Sequence, residues 1–236
     1  MEFLVAFVAV LVGAGVQGSV GFGLALVVVP ALTLVRPEAL PATVLLIVMP
    51  LGAFMAIKER RAIDVSGLAY VLSGRLLGTV GGVGLLLVVP DRYLSVLFGA
   101  LVVLATLTSA VSPDVPLRNP TRVAGGVASG IMGTAAGIGG PPLALVYQSR
   151  SGPEVRSTLA VAFFVGTAIS LLALALSGSA DLSHLVLALE LLPALFLGLW
   201  AANHLTSLLS GDWLRPTILL FAALSGFTAV LLAFVR

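Results

Sequence analysis

The charged residues of this chain stand in short clusters, and the stretches between clusters are long and apolar. The breaks are Arg36-Pro37-Glu38, Lys58 to Arg61, Pro90-Asp91-Arg92, the proline-rich stretch 112–122, Arg150 to Arg156, and residues 177–181. They leave eight apolar blocks, at 3–35, 40–57, 66–89, 93–112, 121–149, 156–177, 184–209 and 214–235. Most approach the roughly 20 residues a helix needs to cross a bilayer. They are continuously apolar rather than alternating, which predicts helices and not barrel strands. Such a chain folds as an all-α polytopic membrane protein. Composition agrees: 59% of residues are hydrophobic and 9% charged, where a soluble domain carries roughly 25% charged residues.

Other classes fall away on the same grounds. A net charge of +2 without basic runs excludes a nucleic-acid partner. The absence of cysteine removes disulfides and thiolate chemistry. Glu2 is the sole early charge, so residues 3–16 read as mature membrane sequence rather than a signal peptide, which wants a basic start. No Ser/His pair, G-x-S-x-G or H-E-x-x-H is placed for hydrolysis, so no enzyme, metal or cofactor is implied.

Blocks one and five are too long and too rich in glycine for single helices. The first spans 33 residues, about 50 Å as a continuous helix. It is interrupted by Gly13, Gly15, Gly18, Gly21 and Gly23; the fifth contains Gly137-Ile138-Gly139-Gly140-Pro141-Pro142. Shifting the first half by 116 residues puts Gly21-Phe22-Gly23 on Gly137-Ile138-Gly139 and Pro37-Glu38 on Pro153-Glu154. One further residue puts Asp64 on Asp181. The chain therefore reads as two homologous halves, 1–112 and 121–236, joined by a loop at 113–120.

The distribution of positive charge bears on how each half crosses. If all eight blocks cross once, Lys and Arg divide six against five between the two faces. If blocks one and five enter and return on one side, Lys58, Arg60, Arg61, Arg118, Arg122, Arg150, Arg156 and Arg215 share a face, against Arg36, Arg92 and Arg236. This second arrangement gives each half one broken or re-entrant helix plus three transmembrane helices. The halves then have inverted topology, and both termini are non-cytoplasmic.

A helix that restarts at membrane depth presents free N–H groups and a positive dipole end, which hold anions. Two facing breaks predict a small anionic substrate between Gly21, Phe22 and Gly23 on one side and Gly137, Ile138, Gly139, Gly140 and Pro141 on the other. Ser19 and Thr134 add hydroxyls at equivalent places, and Gln17 and Gln148 add amides. Close helix packing through small residues is the competing reading of these glycines. Arg75 lies nine residues past Ser66, about 14 Å down its helix. A guanidinium there is an anion ligand or one half of a fixed ion pair. Glu190, the acid deep in block seven, aligns near Arg75; it pairs with Arg75 or carries a coupling proton. Gly74, Gly78 and Gly82 form a packing ridge. His204 reads as an interface residue. Tyr147 lines the cavity or sits in the interfacial belt.

The segments QGSVGFGLALVVVPAL at 17–32 and GIGGPPLALVY at 137–147, each followed by Pro-Glu, resemble the TauE/SafE sulfite-exporter family, also called the 4-toluene sulfonate uptake permease group. The similarity covers essentially the whole chain. Coupling to H+ or Na+ and residence in the lipid bilayer are expected of such a transporter, and the resemblance implies a prokaryotic inner-membrane transporter of sulfur-containing anions such as sulfite, sulfonates and sulfoacetate. It implies no cofactor and no particular oligomeric state. The expectation is a secondary transporter that alternates access around the two breaks; an anion channel with the same site, or a permease for a small carboxylate, are the alternatives.

Overall fold

The computed structural model describes residues 1–58, 60–111, 115–204, 219–220, 222–224, 226–228 and 230–231. These residues are helical, with no strand among them. The helices are α1 (Glu2–Val20), α2 (Leu24–Val35), α3 (Ala42–Lys58), α4 (Val65–Val88), α5 (Leu94–Val111), α6 (Asn119–Ala136), α7 (Gly140–Tyr147), α8 (Gly152–Leu176) and α9 (Leu182–His204). Most of block eight lies outside the described residues; its described pieces are helical. Blocks one and five each divide into two helices, as their glycines predict. Helices α4, α8 and α9 are long and apolar enough to cross a membrane by themselves. Their outer faces carry bare Leu76, Leu77, Val80, Leu172, Phe196 and Trp200, an apolar surface that only lipid or protein can cover.

At both breaks the chain turns back on itself. Gly21 closes α1 in the left-handed conformation at φ 97°, and its N–H bonds the carbonyl of Gln17. After Gly23, at φ 127°, α2 returns along α1, so that Leu24 lies against Gly13 and Val16 against Gly23. Gly137 closes α6 in the same way at φ 78°. Helix α7 then returns along α6, with Gly139 beside Gly133 and Val146 beside Gly125. Glycine is required at 21, 23 and 137 because a side chain is strained at positive φ.

Packing crosses between the two stretches of chain. α1 packs on α9, whereas α6 packs on α4; α3 packs on α9, whereas α8 packs on α4; α3 and α8 pack on each other. The α4–α6 contact is the closest. Gly74, Gly78 and Gly82 of α4 lie against the backbone of Val123, Val127 and Ile131, which is the ridge the glycine spacing predicts.

Loops gather at two ends of the bundle. At one end the 36–41 loop meets the start of α9, where His184 Nε2 lies 3.0 Å from the Glu38 carbonyl. The same end holds a cavity lined by Glu38, Val88, Pro90, Ser95 and Ser177. At the other end Asp64 caps α4 by accepting from the Gly67 N–H at 2.8 Å. Arg122 reaches the same carboxylate at 2.6 Å, and the Tyr147 hydroxyl donates to it at 3.2 Å. The Asp64 N–H donates to Thr158. Four helices are thus tied at one point. Burial raises the Asp64 pKa, but the bonds from Gly67 and Ser66 and the Arg122 charge outweigh it and hold the carboxyl below its ordinary value. Tyr147 is fully buried at this tie, with its hydroxyl on Asp64.

Candidate anion site

The two breaks and Arg75 meet at one cavity. Its lining includes Gln17, Phe22, Gly23, Arg75, Gly133, Gly137, Ile138, Gly139, Gly140 and Pro141, together with Leu45, Val48, Phe163 and Thr167. The cavity measures about 30 Å³.

Arg75 is 1% exposed. Its Nη1 donates to Ser129 Oγ at 3.0 Å, and Ser129 Oγ donates onward to the Gly139 carbonyl at 2.6 Å. This chain fastens α4 to the second break through α6. The Arg75 Nε–H is buried with no hydrogen-bond partner. No carboxylate among the described residues lies within ion-pair distance of the guanidinium. A buried, unneutralised guanidinium is costly inside a membrane and calls for an anion. Gly166 of α8 makes room for it, since a methyl group at 166 would overlap Nε and Cζ. A methyl group at Gly139 would stand 3.0 Å from Ser129 Oγ and 3.2 Å from Nη1.

The breaks supply donors, but fewer than the sequence suggests. The Gly137 and Ile138 N–H groups are consumed in capping α6, bonding Gly133 and Met132 carbonyls. This is the usual way a left-handed glycine ends a helix. The Gly139 and Gly140 N–H groups have no intramolecular partner among the described residues, and Pro141 and Pro142, at the first positions of α7, have no N–H to satisfy. At the first break Gln17 folds over to accept the Leu24 N–H on its Oε1 at 3.1 Å. That bond orients the Gln17 amide at the mouth of α2 and leaves its NH2 to serve the cavity.

A family model described as "Sulfite exporter TauE/SafE" matches residues 5–229. The chain belongs to the TauE/SafE family. That is a family of membrane transporters, not of enzymes. No curated protein and no solved structure matches the chain.

Several of the expected site residues stand elsewhere. Gly21 does not line the cavity; it is a helix cap packed on Arg156. Thr134 is buried one step behind the lining, bonded to Ser170 at 2.7 Å and Thr79 at 3.3 Å. Gln148 is exposed and lines a different cavity. The Ser19 side chain lies outside the described part of the structure. Glu190 is exposed on the outer face of α9 and does not pair with Arg75. Helix α9 packs on α1 and α3, so the face that would have reached Arg75 is turned away from α4. His204 stacks on Trp200 and bonds its carbonyl, a local role.

Ser129, Gly166, Phe163 and Thr167 escaped sequence reasoning. Ser129 did carry a signal: it is the polar member of a small-residue row, Gly125, Gly126, Ser129, Gly130 and Gly133, at helical spacing. Gly166 carried none, because its partner is 91 positions away in the sequence.

Proposed function

We propose that the protein is a secondary transporter that holds a compact sulfur-containing or organic oxyanion at Arg75, between the two breaks. One observation carries the reading: a fully buried guanidinium without a carboxylate among the described residues, lining one cavity with Gly139 and Gly140, whose N–H groups have no partner there. The size of the cavity supports a compact anion such as sulfite. At about 30 Å³ it has room for about two waters at 10–15 Å³ each, and none for an aromatic ring.

Two further observations support inverted repeats that rock around this site. Packing is reciprocal: each broken hairpin rests on a helix of the other half, α1 on α9 and α6 on α4. The two hairpins also start from opposite ends of the bundle. Helix α6 begins at the Asp64–Arg122 end, and the 36–41 loop that follows α2 lies at the other. Lys58, Arg60, Arg118, Arg122, Arg150 and Arg156 then belong to the first end, and Arg36 and Arg92 to the second. The positive-inside rule makes the first end cytoplasmic, in a prokaryotic inner membrane, with the N-terminus on the far side.

A melting-temperature screen of the purified protein against sulfite, thiosulfate, sulfoacetate, toluenesulfonate and acetate tests the site. Small oxyanions are expected to raise the melting temperature of the wild type and not of Arg75→Gln. Equal shifts in both proteins would remove Arg75 from the site. Counterflow in proteoliposomes tests the cycle: uptake that trans substrate does not stimulate would make the protein a channel.

A further inference from the structure

A second cavity stands against the first and is not explained by it. It is lined by Phe22, Thr108, Pro141, Ala144, Gln148, Arg150 and Arg156, among others, and measures about 420 Å³. Phe22 and Pro141 line both cavities. Phe22 and the first turn of α7 are thus common to both cavities. Phe22 sits in the first break, with its ring and Cβ against Gly140, and the Phe163 ring approaches Gly140 as well. The ring is held by van der Waals contact alone, on a three-residue link between α1 and α2. Rotation about its side-chain torsions needs no hydrogen bond to break.

The second cavity is lined by two arginines. Arg150 and Arg156 both line it, whereas Glu154, which pairs with Arg150 at 3.6 Å, does not. Arg156 packs its stem on Gly21 at the first break, which brings the vestibule charge to the same backbone that presents Phe22. The N-terminal turn of α8, a 25-residue helix, contributes Gly152, Val155 and Arg156 to the wall. Its dipole adds positive potential. An oxyanion entering this cavity meets guanidinium forks that match its oxygens.

We infer that this vestibule is a second anion-binding station, for the same class of oxyanion, and that the Phe22 ring is the septum between it and the Arg75 chamber. Anions collect at Arg150 and Arg156, and pass to Arg75 when the ring turns aside. The vestibule lies at the Asp64–Arg122 end, so it serves the face that carries most of the positive charge. This rests on the reading of Arg75 as the anion site, but its test does not use transport.

The chain has no cysteine, so single reporters can be introduced without background. Ala144→Cys reports on the vestibule and Thr167→Cys on the Arg75 chamber. Each is treated, from the Arg150 face, with sulfonatoethyl methanethiosulfonate and with its trimethylammonium counterpart, and rates are normalised to a free thiol. The anionic reagent is expected to modify Ala144→Cys on the order of ten-fold faster than the cationic one. Arg150→Gln with Arg156→Gln should bring the ratio to about one, and the exposed Arg150→Gln alone should lower it. Thr167→Cys should react slowly, and at least about ten-fold faster with Phe22→Ala; Phe22→Leu serves if the alanine variant does not fold. A ratio near one in the wild-type vestibule, or one indifferent to both arginines, would overturn the anion station. Thr167→Cys labelling that ignores residue 22 would overturn the septum. Normal transport by Arg75→Gln alongside the expected labelling would instead fault the reading of the Arg75 site and leave the vestibule standing.

Discussion

The two breaks share a sequence signature and solve the same problem differently. At the first, two glycines at positive φ reverse the chain, and Gln17 reaches across to take up the Leu24 N–H. At the second, one glycine has positive φ, and two prolines remove donors that would otherwise need partners. Gly139, which aligns with Gly23, has an ordinary φ of −84°. It is glycine for another reason, the crowding of Ser129 and Arg75 around its Cα. The repeated Gly-x-Gly therefore hides a division of labour. On the proposed function, the second break and Arg75 anchor the charged ligand group, and the first break provides an amide and an aromatic wall.

Substitutions at the second break should cost most in binding. Arg75→Ala should reduce anion affinity by about 100-fold or more, as loss of a buried charged partner does. Arg75→Lys should recover part of it, having charge without the planar fork. Isotope-labelled sulfite binding to the purified protein measures both. Next come Gly166→Ala and Gly139→Ala. Each intrudes on the guanidinium at a cost of about 1–3 kcal/mol, read as roughly ten-fold weaker binding. Unchanged affinity in both would mean that the guanidinium position does not matter.

Substitutions at the first break should act more on stability. Gln17→Leu leaves the Leu24 N–H without a partner and should cost about 1 kcal/mol, in the range of a lost helix cap, with a smaller effect on affinity. A loss of binding as large as that of Arg75→Ala would reverse the proposed division of labour.

The smallest effect belongs to the Asp64 tie, away from both breaks. Its folded pKa is depressed, so the stability it gives is complete above the unfolded value, about 3.9. That stability is lost as pH falls through the lower folded value. Asp64→Asn should flatten the acid limb of a melting-temperature profile below about pH 5. A profile identical to the wild type's would show that the tie carries no pH-dependent stability.

Much of this was legible in the chain. Long apolar blocks gave helices, excess glycine and length gave two divided blocks, and the cost of a mid-helix guanidinium marked Arg75. What sequence could not settle was which way each helix faces. Glu190 illustrates this: linear alignment put it near Arg75, but α9 packs on α1 and α3 and turns that face outward. The donors were overcounted for a similar reason. A glycine that ends one helix spends its own N–H and the next on that ending, so Gly137 and Ile138 could not also serve a ligand. Gln17 and Gln148 looked alike as amides, yet one caps α2 inside the cavity and the other lies outside it.

The central claim is that Arg75, facing the second break, holds the transported anion. Counterflow of labelled sulfite into proteoliposomes, compared between wild type and Arg75→Gln at equal protein incorporation, tests it most directly. Trans-stimulated uptake by the wild type that is absent in Arg75→Gln is the predicted result. Wild-type counterflow in Arg75→Gln would contradict it.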